Sequence, residues 1–287
     1  MTTNALRSPA TPRLSSGDFT RLSRFIYDEC GIRMPPSKKT MLEARLNRRL
    51  RELGMRSFTD YCTHLFGNSG VEERVTMIDL ATTNKTDFFR EADHFSYLTQ
   101  QALPEWRQRR GGGGSRRLMV WSAGCSTGEE PYTLAMVLQE FAAGCGDFDF
   151  RILATDISTQ VLGKAQLAVY HEDRVAPVPL YLKRKYLLRS KDRENGLVRV
   201  VPELRAKVSF RRLNFMAGDF GLRETMDIIF CRNVIIYFDR PTQERLLNRL
   251  CAHLHPGGLI FMGHSETLSG LDVPLTQVSP TVYRKVS

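Results

Sequence analysis

Beyond residue 116 the chain alternates short apolar runs with amphipathic stretches, and that alternation restricts the fold more than any other feature. RLMVWSAG (117–124), FRILATD (150–156), VSFRRLN (208–214), MDIIFCRNVIIYF (226–238) and GGLIFMG (257–263) read as strands. EEPYTLAMVLQEFAAG (129–144), STQVLGKAQLAVY (158–170) and the start of RPTQERLLNRLCAHLHPGG (240–258) read as helices between them. Parallel strands need a long crossover, and a helix that buries one face on the sheet supplies it. The pattern therefore predicts an α/β fold with a mostly parallel sheet. A polar, basic stretch from about 170 to 212 breaks the alternation. Within it, YLLRSKDRENGLVRVV (186–201) carries Asn195-Gly196, a dipeptide that closes tight hairpins. This stretch reads as a small antiparallel β-subdomain inserted on the sheet.

The N-terminal third has a different period. Residues 1–16, rich in Ser, Thr, Pro and Arg, read as a disordered tail. From Asp18, apolar Phe19, Leu22, Phe25 and Ile26 recur at helical spacing. KKTMLEARLNRRLRELG (38–54) carries Leu42, Leu46, Leu50 and Leu53 on one face and ends at Gly54. SFTDYCTHLF (57–66), with Ser57 as N-cap, and VEERVTMIDLATTN (71–84) add two more helices. The expected organisation is a helical domain over 17–92, then a linker helix and Gly-rich joint over 93–115. The α/β domain follows over 116–287. RQRRGGGGSRR (107–117) marks the joint, because four consecutive glycines suit neither a helix nor a strand interior.

Composition narrows the partners. At 287 residues, with 42% hydrophobic and 25% charged side chains, the chain can bury a real core. No apolar run approaches the roughly 20 residues that span a bilayer, and no secretory h-region is visible. The six cysteines show no CxxC pair, which fits reduced thiols in the cytoplasm and argues against a metal site. The net charge of +10 favours nucleic acid, an anionic membrane surface or an acidic protein, and does not choose among them.

VWSAGCSTGEEPY (120–132) occupies the first strand-to-helix turn, where open α/β sheets bind ligands. Gly124 and Gly128 allow close backbone approach, but Ser126 replaces the middle glycine of a dinucleotide fingerprint and no GK[ST] follows. Glu129 and Glu130 put negative charge where a helix N-terminus would otherwise hold a phosphate. A ligand with adenosine and positive charge but no phosphate suits such a turn, and S-adenosylmethionine is one. The glutamates also fit a plainer role, complementing the dipole of the first helical turn. Asp156, ending ILATD, fits either a ribose acceptor or a cap for the next helix. Asn214 ends a strand and could address an adenine edge. Arg232-Asn233 interrupts an apolar strand and needs polar partners, from a ligand or from the protein.

These residues resemble the chemotaxis receptor methyltransferases, the CheR family. The matching strings are TTNKTDFFREADHF (82–95), WSAGCSTGEEPY, ATDIS, GLVRV, FCRNVIIYFDRPTQE and PGGLIFMGHSE, in one order from about residue 18 to the C-terminus. The resemblance implies a class I (Rossmann-like) methyltransferase domain with S-adenosylmethionine as donor and S-adenosylhomocysteine as product. The implied substrates are glutamate side chains on the cytoplasmic helices of chemoreceptors. It also implies that Asn84, Thr86 and Arg90 line the donor site, with Arg90 at the methionine carboxylate. Glu130 would face the ammonium group, Asp156 the ribose, and Asn214 with Phe215 the adenine. Arg232, Asn233 and Tyr237 would close the site near the sulfonium. Catalytic roles fall on Arg90, Arg232 and Tyr237, which could steer or hold the incoming carboxylate.

The chemistry is consistent with these residue types. A glutamate is ionised at neutral pH and needs no general base to attack a sulfonium methyl, so the six histidines call for no catalytic or metal role. Lys38, Lys39, Arg45, Arg48, Arg49 and Arg51 crowd the helix of 38–54 opposite its leucines. They read as a docking surface for an acidic receptor segment, with a plain solvated face as the alternative. No nucleic acid partner and no membrane insertion are expected, and a monomer suffices. A nucleic-acid methyltransferase is disfavoured, since the N/D-P-P-Y/F string is replaced by Arg232-Asn233-Val234-Ile235. A regulator that only binds S-adenosylmethionine would carry the same donor residues.

Overall fold

The computed structural model describes residues 11–109, 117–192 and 194–286. Residues 1–10 of the expected tail and the four glycines of the expected joint lie outside that range. Leu14 is buried and Ser15 caps the first helix, so residues 14–16 belong to the helical unit rather than to a tail. The chain divides into two compact units, Met1–Thr82 and Thr83–Ser287. The sequence pattern put this division near residue 92. Its true position moves the whole Asn84–Glu91 string into the larger unit.

The first unit is built from α1 (Ser16–Cys30), α2 (Lys39–Glu52), α3 (Phe58–Phe66) and α4 (Val71–Ala81). Ser15 and Ser57 each accept an amide N–H from the first turn of the helix that follows, from Asp18 and Asp60. The leucine stripe of α2 is buried at Leu42, Leu46 and Leu50. At its end Met55 N–H donates to Leu50 O at 2.9 Å across Gly54, whose φ of +66° closes the turn. Two of the basic residues of α2 are used internally. Arg45 Nη1 donates to the carbonyls of Leu80 and Thr82, and Arg49 pairs with buried Glu73 at 2.6 Å.

The second unit begins with a rod made of α5 (Ala92–Tyr97), a π-helical stretch (Leu98–Ala102) and α6 (Leu103–Arg109). The sheet strands follow: β1 (Leu118–Ala123), α7 (Glu129–Ala143), β2 (Phe150–Asp156) and α8 (Thr159–Leu167). The inserted subdomain contains β3 (Val169–His171), α9 (Leu180–Tyr186), β4 (Leu187–Arg189) and β5 (Leu197–Val200). After α10 (Pro202–Arg205) come β6 (Val208–Arg212), β7 (Met226–Cys231), α11 (Arg240–Ala252), β8 (Leu254–Met262), β9 (Leu275–Ser279) and β10 (Val282–Lys285).

The large sheet has the order β6-β2-β1-β7-β8-β10-β9, parallel from β6 to β8 and closed by two antiparallel strands. This is a Rossmann-like α/β sheet. The chain runs outward from β1 through β2 to β6, then returns to β7 on the other side of β1. That reversal opens a crevice beyond the carboxyl ends of β1 and β7. Every residue of β7 is buried, as expected for a strand covered on both faces.

Three expectations change. Helix α8 stops at Leu167, and Ala168 (φ +54°) turns Val169–Tyr170 into the inserted three-stranded sheet, ordered β3-β5-β4. The run MDIIFCRNVIIYF is not one strand. It ends at Cys231, Asn233 adopts φ +59°, and Ile235–Tyr237 form a 3-10 turn. The antiparallel pair β9–β10 carries weak alternation and was not foreseen.

Candidate functional site

The glycine turn after β1 is tied down by the strand beside it. Gly124 and Cys125 both donate backbone N–H groups to Thr155 O, at 2.8 and 2.9 Å. Ser126 N–H donates to Asp156 Oδ2 at 2.8 Å, and Ser158 N–H donates to Asp156 Oδ1 at 3.0 Å. Asp156 thus holds Ser158, the residue whose hydroxyl caps α8, and also takes the turn amide that a phosphate would need. A second anion would meet this carboxylate at close range. Gly124 sits at φ +87°, and a Cβ there would lie 2.5 Å from Val234 Cγ2, so the turn after β7 packs on its backbone.

Both glutamates at the start of α7 are buried, and each has an arginine partner. Glu129 accepts from Arg174 Nη2 and Thr127 Oγ1, both at 2.6 Å. Glu130 accepts from Ser122 Oγ at 2.6 Å and from Arg232 Nε at 2.7 Å. The expected bare pair of negative charges is therefore offset by two guanidinium groups. What disfavours a pyrophosphate here is Asp156 on the turn amide more than the two glutamates.

Arg232 is the centre of the other half of the site. Its Nη1 donates to Arg90 O at 2.6 Å and reaches Glu91 Oε2 at 3.4 Å and His94 Nδ1 at 3.2 Å. Its guanidinium also lies over the rings of Phe95 and Phe230. Its side chain is 2% exposed, and its bonds go to groups of the protein itself. It neutralises Glu130 and holds the Arg90 carbonyl in place.

Residues that the sequence reading left without a role prove central. Glu91 Oε1 accepts from Asn233 Nδ2 at 3.4 Å and from His264 N–H at 3.2 Å. Buried Glu266 accepts four backbone N–H groups, from Asn233, Val234, Ile235 and Gly263, at 2.6 to 2.8 Å. Three of those amides follow β7, and with Glu266 taking them the strand stops at Cys231; the fourth follows β8. Burial raises the Glu266 carboxyl despite the four amides. Burial, with the Arg232 charge second, pulls His94 down to about 4. A neutral His94 accepts at Nδ1 from Arg232, so its Nε2–H donates to Thr281 Oγ1, at 2.7 Å. Glu91, His94 and His264 bring potential metal ligands within 4.8 Å of one another, but the cation already among them is Arg232.

The remaining expected residues surround this frame. Asn84 O accepts from Ser126 Oγ at 3.0 Å, and Thr86 O accepts from Arg174 Nη2 at 2.7 Å. Arg90 is half-buried and donates through Nη1 to Lys85 O at 3.2 Å. Leu213 N–H bonds Asp156 O, which sets Asn214 and Phe215 just beyond Asp156. Asn214 Oδ1 accepts from Met216 N–H at 2.9 Å. Tyr237 is half-buried in the turn after β7. Of the six described non-glycine residues with positive φ, four lie here: Phe89, Glu91, Ser126 and Asn233. Such conformations cost on the order of 1–3 kcal/mol each and persist where surrounding contacts enforce them.

Comparison with known proteins agrees with this layout. Residues 17–82 match the family model described as "CheR methyltransferase, all-alpha domain". Residues 84–284 match "CheR methyltransferase, SAM binding domain". Proteins named chemotaxis protein methyltransferase are similar along nearly the whole chain. The one from Klebsiella aerogenes is 44% identical over 94% of this chain and 90% of its own length. That from Escherichia coli is 42% identical over 94% and 91%, and that from Borreliella burgdorferi 37% over 99% and 100%.

Proposed function

The chain belongs to the CheR methyltransferase family, and from that premise we propose how its site works. It transfers the methyl group of S-adenosylmethionine to glutamate carboxylates of chemoreceptors, giving methyl esters and S-adenosylhomocysteine, in chemotaxis signalling. One observation carries the assignment of the site. The glycine turn, Asp156 and the Asn84–Glu91 string meet in a single hydrogen-bonded frame at the crevice between β1 and β7.

The donor set suits an adenosyl cation. Asp156, at the end of β2, holds the ribose hydroxyls, and Asn214 with Phe215 frames the adenine. Glu130 faces the ammonium group and Arg90 the methionine carboxylate, with Asn84 and Thr86 lining the wall between them. When bound, S-adenosylmethionine supplies an electrophilic methyl group on its sulfonium. The acceptor carboxylate arrives ionised, so the protein has to align it and exclude water. Asn233 and Tyr237 stand on the turn that Glu266 fixes, and the Tyr237 hydroxyl holds the carboxylate in line. Arg90 acts at the donor, and Arg232 acts through Glu130 and the Arg90 carbonyl.

The receptor is met on two surfaces. Lys38, Arg48 and Arg51 are exposed on the basic helix and suit an acidic segment that offers several glutamates. The inserted subdomain exposes Leu180, Tyr181 and Leu188 beside Lys183, Arg184 and Lys185 and supplies a second contact. Among the described residues no helix is long and apolar enough to cross a membrane. The enzyme works as a cytoplasmic monomer on the receptors' cytoplasmic domains and uses no nucleic acid.

Labelled S-adenosylmethionine and membranes containing chemoreceptors test the reading. Label should enter receptor bands and leave as methanol in mild alkali, and Arg90→Ala should abolish transfer. The double variant Arg48→Ala/Arg51→Ala should raise the KM for receptor with the donor KM unchanged. Donor binding without receptor labelling would leave a regulator in place of an enzyme.

A further inference from the structure

The root of the inserted subdomain is fastened to the donor-site loops at two points. Tyr170, in β3, donates its hydroxyl to Thr127 O at 2.8 Å and packs edge-on against Phe88 at 5.0 Å. Gly128, at φ +97°, has no room for a side chain, since a Cβ would lie 2.8 Å from that hydroxyl and 2.9 Å from Ala165 Cβ. Four residues on, Arg174 lies in the 3-10 turn that leaves β3. Its Nη2 bonds both Glu129 Oε1 and Thr86 O, at 2.6 and 2.7 Å, and its Nη1 lies 3.5 Å from Asp87 Oδ1.

One guanidinium thus joins three segments: the inserted subdomain, the start of α7, and the Asn84–Arg90 string. Glu129, 1% exposed, holds Thr127 Oγ1 with its other oxygen, so the ion pair reaches the glycine turn. From the same first turn, Glu129 O accepts from Thr133 Oγ1, which in turn accepts Phe89 N–H at 3.2 Å. Phe89 and Glu91, with φ of +55° and +56°, flank Arg90, so the string has little intrinsic reason to keep this shape. Its geometry depends on outside contacts.

We infer that Arg174 is a positioning residue that fastens the inserted subdomain to the Asn84–Arg90 string and so sets donor affinity without touching the donor. The inference rests on the donor-site reading given above. Arg174 makes both bonds from Nη2, at the far end of a rigid planar group whose Nη1 faces Asp87, whereas a lysine ammonium restores the charge one bond short of that position and without the plane. A contact at the root of the subdomain would then also make donor affinity sensitive to whatever docks on its exposed face.

The test uses the full chain and calorimetric binding of S-adenosylhomocysteine, with melting temperature and steady-state kinetics beside it. Arg174→Lys should keep the parent's melting temperature, bind S-adenosylhomocysteine about tenfold more weakly, and raise the donor KM at unchanged kcat. Tyr170→Phe should weaken binding by a smaller factor. Arg174→Gln strands a buried carboxylate and is expected to unfold easily. The double variant Arg174→Gln/Glu129→Gln removes both charges and keeps the question answerable. Parental affinity in Arg174→Lys, or in that double variant, overturns the inference. Arg90→Ala is measured in parallel. If it binds as the parent does, the donor-site reading itself fails. If Arg90→Ala weakens binding and Arg174→Lys does not, the positioning role alone is lost.

Discussion

In the helical unit Glu73 is buried against Arg49 and the Tyr61 hydroxyl, at 2.6 and 2.8 Å, and the backbone on all sides is regular helix. In the larger unit buried Glu130 and half-buried Glu91 pair with Arg232, and the backbone they hold is not regular. Phe89, Glu91 and Asn233 have positive φ, and Arg232 bonds a carbonyl, Arg90 O, that no helix or strand uses. The first network adds to a fold that its leucines already specify. The second specifies loop shapes that the local sequence does not favour. Its charges should therefore matter to ligand binding as well as to stability.

Arg232→Met gives the largest expected break in that comparison. It leaves Glu130 buried with one hydroxyl partner and frees the Arg90 carbonyl. Removing one partner of a buried pair costs about 3–5 kcal/mol. The melting temperature should fall sharply and donor binding should disappear. Adding Glu130→Gln should recover much of the stability and little of the binding. Full recovery of binding in Arg232→Met/Glu130→Gln would show that the pair is only structural.

His94 sharpens the contrast through pH. Arg232, Glu91, Asp93 and His264 surround the ring, and burial leads the causes that hold it near 4, against 6.5 when unfolded. The folded state thus prefers neutral His94. That contribution is complete above about pH 6.5 and is lost as pH falls toward 4, by up to about 3 kcal/mol. Urea unfolding at pH 7 and pH 4.5 should show a smaller drop in His94→Gln than in the parent. An equal drop would mean that His94 titrates alike folded and unfolded.

Much of this architecture was legible because periodicity reports burial. The α2 leucines, the buried run of β7 and the order of strands and helices all follow from apolar spacing. The site was legible only as a set of strings. Glu130 and Asp156 stand out at strand and helix ends, but nothing local says that Arg232 pairs with Glu130, 102 positions away. Glu266 was invisible for a related reason. A carboxylate that collects four amides from two turns has no spacing signature, so the end of β7 at Cys231 could not be read. Arg174 lies in a stretch whose composition marks it only as polar and basic. Side chains that hold irregular backbone across long sequence separations escape a reading based on local pattern.

Glu73→Gln in the helical unit gives the smallest effect and sets the control. The amide keeps one carbonyl oxygen to accept from Arg49 or the Tyr61 hydroxyl, and it loses the charge on those bonds. A charge-assisted bond reduced to a neutral one costs about 1 kcal/mol. The free energy of urea unfolding for this unit should fall by that amount. S-adenosylhomocysteine affinity and the turnover number should stay at the parent's values, because regular helices on every side keep their shape without the charge. A donor affinity that fell along with stability would break the comparison, since a charge buried among regular helices would then also govern the loops of the donor site.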